Sequence, residues 1–137
     1  MTCLTNIEIK NNVNAKPAAS ATAGLFLRDQ GGRSAEAMGP NIDGNFYNRI
    51  NAASPRNEIG WSKSGSPVYY TSFAAYKAAT GKDANGYSID GSNALTSAFM
   101  LTAATAAATV NVPRALPADV AAVVGQPSGA KHLGAWR

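Results

Sequence analysis

Residues 41–50 read NIDGNFYNRI, and their meaning comes from what stands 33 residues earlier. Set under the stretch LTNIEIKNNVNA, residues 4–15, Ile42 falls on Ile9, Asn45 on Asn12 and Phe46 on Val13. The shared pattern is Ile-x-x-Asn-apolar. In the earlier copy Ile7 and Ile9 alternate with Glu8 and Lys10, the period of a strand with one buried face, and Leu4 extends the alternation. Asn11 and Asn12 then bend the chain, since asparagine tolerates the left-handed region and bonds its own backbone. A strand ending at a fixed corner asparagine is what a solenoid coil requires, because stacked asparagine side chains hydrogen-bond from one turn to the next. The same register places Glu8 near position 41 and Lys10 opposite Asp43, as an ion pair or as part of a site.

Outward from this pair the chain alternates short apolar runs with turns. Residues 16–23 are a Pro/Ala/Ser/Thr loop, residues 24–27 (GLFL) a short strand, and the Gly31-Gly32 turn leads into a loop over 33–40. After the loop at 51–57, a strand is expected around Ile59 and Trp61. Another follows at 68–70, behind a Gly-Ser-Pro turn. A short helix is predicted over residues 72–80, with Thr71 or Ser72 as its N-cap and Gly81 as its left-handed stop. Phe73, Tyr76 and Thr80 share one face, and Lys77 and Lys82 sit where the helix dipole favours cations. A helix this short needs a larger body to lie against. Residues 87–90 read as a brief strand. Residues 99–101 fit either a strand or the start of an Ala/Thr-rich helix through Thr109, because alanine suits both periods. Pro113 and Pro117 are expected to end regular structure, and residues 133–136 (LGAW) to form a final strand.

Composition narrows the class. A chain of 137 residues is one domain's worth at most. Only 15% of residues are charged, and 13 glycines and seven prolines mark frequent turns, which favours a turn-rich β architecture over a helical bundle. The net charge of +4 is spread singly along the chain, without the clustering a nucleic-acid footprint needs. The single cysteine, Cys3, excludes an internal disulfide. No apolar run reaches the roughly 18 residues of a membrane span, and no secretory leader is expected after Met1. His132, the one histidine, has no carboxylate beside it in sequence to orient it as a base, and no Cys/His cluster points to zinc. The eight acids stand singly at 8, 29, 36, 43, 58, 83, 90 and 119. Asp83 reads as a residue that pins the loop after the helix through backbone N–H bonds.

The run SFAAYKAATGKDANGYS, residues 72–88, resembles a C-terminal segment of the pectate-lyase-like superfamily of right-handed parallel β-helix proteins. There an aromatic-containing helix leads into Thr-Gly-x-Asp-x-x-Ser. Here Thr80, Gly81 and Asp83 match, Gly86 stands where the serine is usual, and Ser88 lies two positions on. Phe99, Leu101, Pro117, Asp119, Val120 and the Leu-Gly-Ala-Trp of residues 133–136 follow in the order of such a C-terminal segment, while Thr105-Ala106-Ala107 lacks the proline. The resemblance spans residues 4–14 and 41–136.

It implies an all-β chain, a right-handed parallel β-helix with one short helix at 72–80, forming one domain over 1–137 and supplying the C-terminal coils of a longer protein. It implies an extracellular or cell-surface, carbohydrate-associated role, as part of a polysaccharide lyase or glycoside hydrolase whose reacting coils lie upstream. No cofactor is expected in this segment, and for a full-length lyase the resemblance leaves Ca²⁺ or another cation open. The partner would be a polysaccharide or glycan surface. Trp61, Tyr69 and Tyr70 are the candidate sugar-stacking residues; adjacent strand residues face opposite ways, so one of the tyrosines points outward. A non-enzymatic adhesin, surface-layer or phage-fibre segment is the alternative.

Overall fold

The computed structural model describes residues 7–15, 20–64 and 66–134. Leu4, Cys3 and residues 135–136 of the expected last strand lie outside them. The strands are β1 (Glu8–Lys10), β2 (Val13–Ala15), β3 (Leu25–Leu27), β4 (Asn41–Asp43), β5 (Phe46–Arg49), β6 (Ile59–Lys63), β7 (Ser66–Tyr70) and β8 (Tyr87–Asp90). The helices are α1 (Phe73–Thr80), α2 (Ala103–Ala108) and α3 (Ala118–Val123), with a 3₁₀ turn at Glu36–Met38.

The 33-residue offset is the register of the first pairings. β1 lies parallel to β4 with Ile9 opposite Ile42, and β2 lies parallel to β5 with Val13 opposite Phe46. β3 pairs parallel with β6, and β8 adds to the far side of β5. The corner asparagines bond across the pair. Asn45 Oδ1 accepts the backbone N–H of Asn12 at 3.0 Å and its side-chain amide at 3.0 Å, while Asn45 Nδ2 donates to Ile9 O at 2.9 Å.

The expectation of an all-β, right-handed parallel β-helix is not met. The described strands form three small sheets of two, three and three strands, without solenoid or barrel closure, and three α-helices accompany them. Two local causes divert the chain. Through Ser64, which takes a left-handed φ of 44°, β7 turns back and pairs antiparallel with β6, making the third sheet mixed. Beyond residue 94 the alanine-rich stretch goes helical, as the residue with the best helix propensity favours. Thr102 caps α2 by accepting the Thr105 N–H. Pro117, expected to end structure, instead stands at the start of α3, where a proline's missing N–H costs nothing. Residues 133 and 134 are not in a strand.

Helix α1 forms as its caps dictate. Ser72 Oγ accepts the Ala75 N–H at 3.2 Å, and Gly81 turns left-handed with φ 65°. Its Phe73 and Tyr76 enter the core with Ala35, Met38, Ile42, Tyr47, Ile59 and Trp61.

The C-terminal segment returns to the first corner. Asn11, in the left-handed region at φ 58°, donates from Nδ2 to Arg114 O (2.7 Å) and accepts the Arg114 N–H on Oδ1 (2.6 Å). Gly134 N–H donates to Asn11 O at 2.7 Å.

Candidate functional site

Strand alternation in the third sheet separates an inner from an outer face. Leu25, Leu27, Ile59, Trp61 and Tyr70 pack into or against the core. Phe26, Gly60 and Tyr69, which stand in register across β3, β6 and β7, therefore face outward. The Phe26 ring lies over Gly60; a Cβ at position 60 would overlap it. Phe26 and Tyr69 meet across this glycine with ring centroids 5.7 Å apart, tilted by 47°. Tyr69 is 39% exposed. The three residues make a shelf of two aromatic rings. Arg28, two residues beyond Phe26, is exposed. The loop beside the shelf is held by Ser62 Oγ donating to Arg33 O (3.0 Å) and by the Arg33–Asp29 pair (2.8 Å). The Arg33 hydrogen bonds hold the Asp29 carboxyl below its ordinary range.

Of the three residues named from sequence, only Tyr69 belongs to this surface. Trp61 is fully buried, packs on Tyr76 at 5.6 Å, and donates its Nε1–H to Glu36 Oε1 at 2.8 Å. It presents no face to a ligand, and that expectation is corrected. Tyr70 turns inward against Tyr76 at 5.8 Å. Phe26 takes the place beside Tyr69. Its signal was present in GLFL: once Leu25 and Leu27 point inward, the residue between them points out.

A second arrangement sits at the strand ends. Arg49, buried at the end of β5, grips Asp90 at the end of β8 through Nε (2.9 Å) and Nη2 (2.6 Å). Its remaining donors reach the carbonyls of Pro55, Arg56 and Thr71. Glu58, just before β6, is also buried; its Oε2 lies 3.6 Å from Arg49 Nη2, and neither carboxylate oxygen has a hydrogen-bond partner among the described residues. Burial, together with the Asp90 charge, pushes the Glu58 carboxyl up to about 7, against the pull of Arg49. Two carboxylates on one guanidinium resemble a catalytic pair only in composition. The Glu58 side chain is 2% exposed and that of Arg49 3%, so neither is open to a substrate.

Asp83, Glu8 and Asp43 serve the fold. Asp83 Oδ1 accepts the Asn45 N–H (3.1 Å), and Oδ2 accepts from Asn45 Nδ2 (3.1 Å) and Tyr47 OH (2.7 Å). It pins the corner through a backbone N–H, as read from sequence, but the corner is that of β5. Burial pushes its carboxyl up and pushes the Tyr47 phenol far up. Lys10 pairs with Glu8 at 2.6 Å and not with Asp43, which instead accepts from Asn85 N (2.9 Å) and Nδ2 (2.8 Å). His132 Nδ1 lies 3.4 Å from Gly134 O. Among the described residues no group of three or more His, Cys, Asp or Glu converges as metal ligands, and no helix is long and apolar enough to cross a membrane. No family model, curated protein or solved structure matches the chain.

Proposed function

We propose that this chain is a glycan-binding section of an extracellular or cell-surface protein, holding a sugar ring on the shelf of Phe26 and Tyr69. The observation that carries the reading is the exposed Tyr69 ring set 5.7 Å from Phe26 across a glycine. An aromatic face suits the axial C–H surface of a pyranose, and flanking polar groups fix its hydroxyls. Arg28, exposed two residues beyond Phe26, is the polar group beside the shelf that serves that purpose. In the enzyme form of this reading, a polysaccharide lyase or glycoside hydrolase, the reacting groups lie outside these residues, and any Ca²⁺ belongs with them.

The test is affinity electrophoresis of the full chain in gels containing neutral and acidic polysaccharides, beside Tyr69→Ala and Phe26→Ala. Retardation by at least one polysaccharide, lost in both variants, supports the reading. Unretarded migration in every gel sinks it. A second reading, a non-enzymatic structural or adhesin segment, is favoured by the use of Asp29, Glu36, Asp43, Asp83 and Asp90 in internal bonds. It is the reading left standing if no polysaccharide retards the chain.

A further inference from the structure

A concave cleft of about 1360 Å³ lies between the β1–β2 corner and the C-terminal helices. Its walls are aliphatic: Val13, Leu95, Leu101, Leu116, Val120 and Val124 contribute to them. Several apolar residues around it remain open to solvent, Phe99 at 75% and Val110 at 70%. An apolar surface of this kind on a chain otherwise rich in polar turns marks a binding site.

The polar lining is one-sided in sign and in place. Lys10, Lys131 and His132 line the cleft, and among the described residues no aspartate or glutamate does. Both lysines and His132 come from two segments tied to each other by the Gly134 N–H to Asn11 O bond, so the two lysine charges, Lys10 and Lys131, stand at the β1–β2 side. Lys10 is already paired with Glu8. Lys131 is exposed, and among the described residues it has no ion pair. The opposite wall is almost uncharged: residues 94–130 hold only Arg114 and Asp119.

From this division we infer that the cleft binds a single-chain anionic amphiphile, a long-chain carboxylate, with its alkyl tail along Leu101, Val120 and Val124 and its head toward Lys131. An alkyl tail matches an aliphatic wall without the polar demands of a peptide backbone. An anionic head matches the sign of the charge that Lys131 brings to the cleft.

The test is isothermal titration calorimetry of the full chain with octanoate, decanoate and dodecanoate below their micelle concentrations, and with decyltrimethylammonium as the same tail under the opposite charge. Affinity should rise roughly fourfold for each methylene added. Decanoate should bind at least about tenfold tighter than decyltrimethylammonium. Lys131→Gln, an exposed change that leaves the fold alone, should weaken decanoate about two- to fivefold and leave decyltrimethylammonium no weaker. Val120→Asp should abolish decanoate binding; if that variant does not fold, Lys131→Gln alone decides. Affinity that is flat with chain length, equal for the two head groups, or unmoved in Lys131→Gln overturns the inference. So does sedimentation with phosphatidylglycerol vesicles by a chain that takes up no free decanoate, since the cleft would then serve a membrane surface.

Discussion

Asn45 reaches both ways from one corner: its carboxamide oxygen takes two N–H groups of Asn12, and its amide nitrogen bridges Ile9 O and the buried Asp83 carboxylate. One side chain therefore joins the first strand pair to the loop after α1. In Asn45→Ala four bonds go, and Asp83 keeps a buried carboxylate with fewer donors. The expected loss is about 2–4 kcal/mol in urea unfolding. Asn12→Ala, whose side chain is exposed, should cost less than about 1 kcal/mol. Equal losses in the two variants would contradict the central place given to Asn45.

Glu58 sets a pH dependence with a definite sign. Its carboxyl titrates near 7 in the folded chain against an ordinary 4.5. The folded state therefore holds the proton more tightly than the unfolded one. The stability from that proton is fully present below about pH 4.5 and is lost as pH rises through 7, by on the order of 3 kcal/mol. Asp83, also pushed up by burial, acts in the same direction. The contribution of Glu58 is the difference between the chain and Glu58→Gln. That variant should match the chain at pH 4.5 and exceed it at pH 8 in thermal unfolding. Parallel pH curves for the two proteins would rule this out.

Gly60 is a seat for a ring. Gly60→Ala puts a methyl into the Phe26 ring, and either the ring or the strand must move. We expect about 1–3 kcal/mol of destabilisation and loss of the shelf. Adding Phe26→Ala should recover part of that stability, so the two changes should be non-additive by at least about 0.5 kcal/mol. Strict additivity would mean that the ring does not lie over position 60.

Ser72 is the side-chain cap of α1. Ser72→Ala should cost about 1 kcal/mol, read by chemical denaturation, whereas Thr71→Ala should be nearly neutral. A larger effect at Thr71 would move the helix start by one residue.

Much of the local structure was legible in the residues. The Ile-x-x-Asn-apolar spacing carried the register of β1 with β4 and β2 with β5, because a buried period-2 face tolerates no slip. The capping serine and the glycine stop carried α1. The architecture was not legible, since whether β7 continues or folds back depends on one left-handed residue, Ser64, and helix or strand at Ala103–Ala108 depends on surroundings that alanine does not encode. The site was legible in part. Tyr69 against Tyr70 is a question of parity along one strand, but the burial of Trp61 depends on α1 and the Glu36 turn closing over it. The Arg49 junction joins residues 41 positions apart, and no local pattern announces it.

The two-way bond between Asn11 and Arg114 spans 103 residues of chain. At a synthesis rate of roughly 5–20 residues per second, the asparagine is made on the order of 5–20 s before its partner. Once β4 and β5 have followed, the first corner has its register available but not its final latch. The last segment of the chain thus decides when the first becomes permanent, and a chain halted before Arg114 would present an unlatched β1–β2 corner to whatever chaperone or protease meets it.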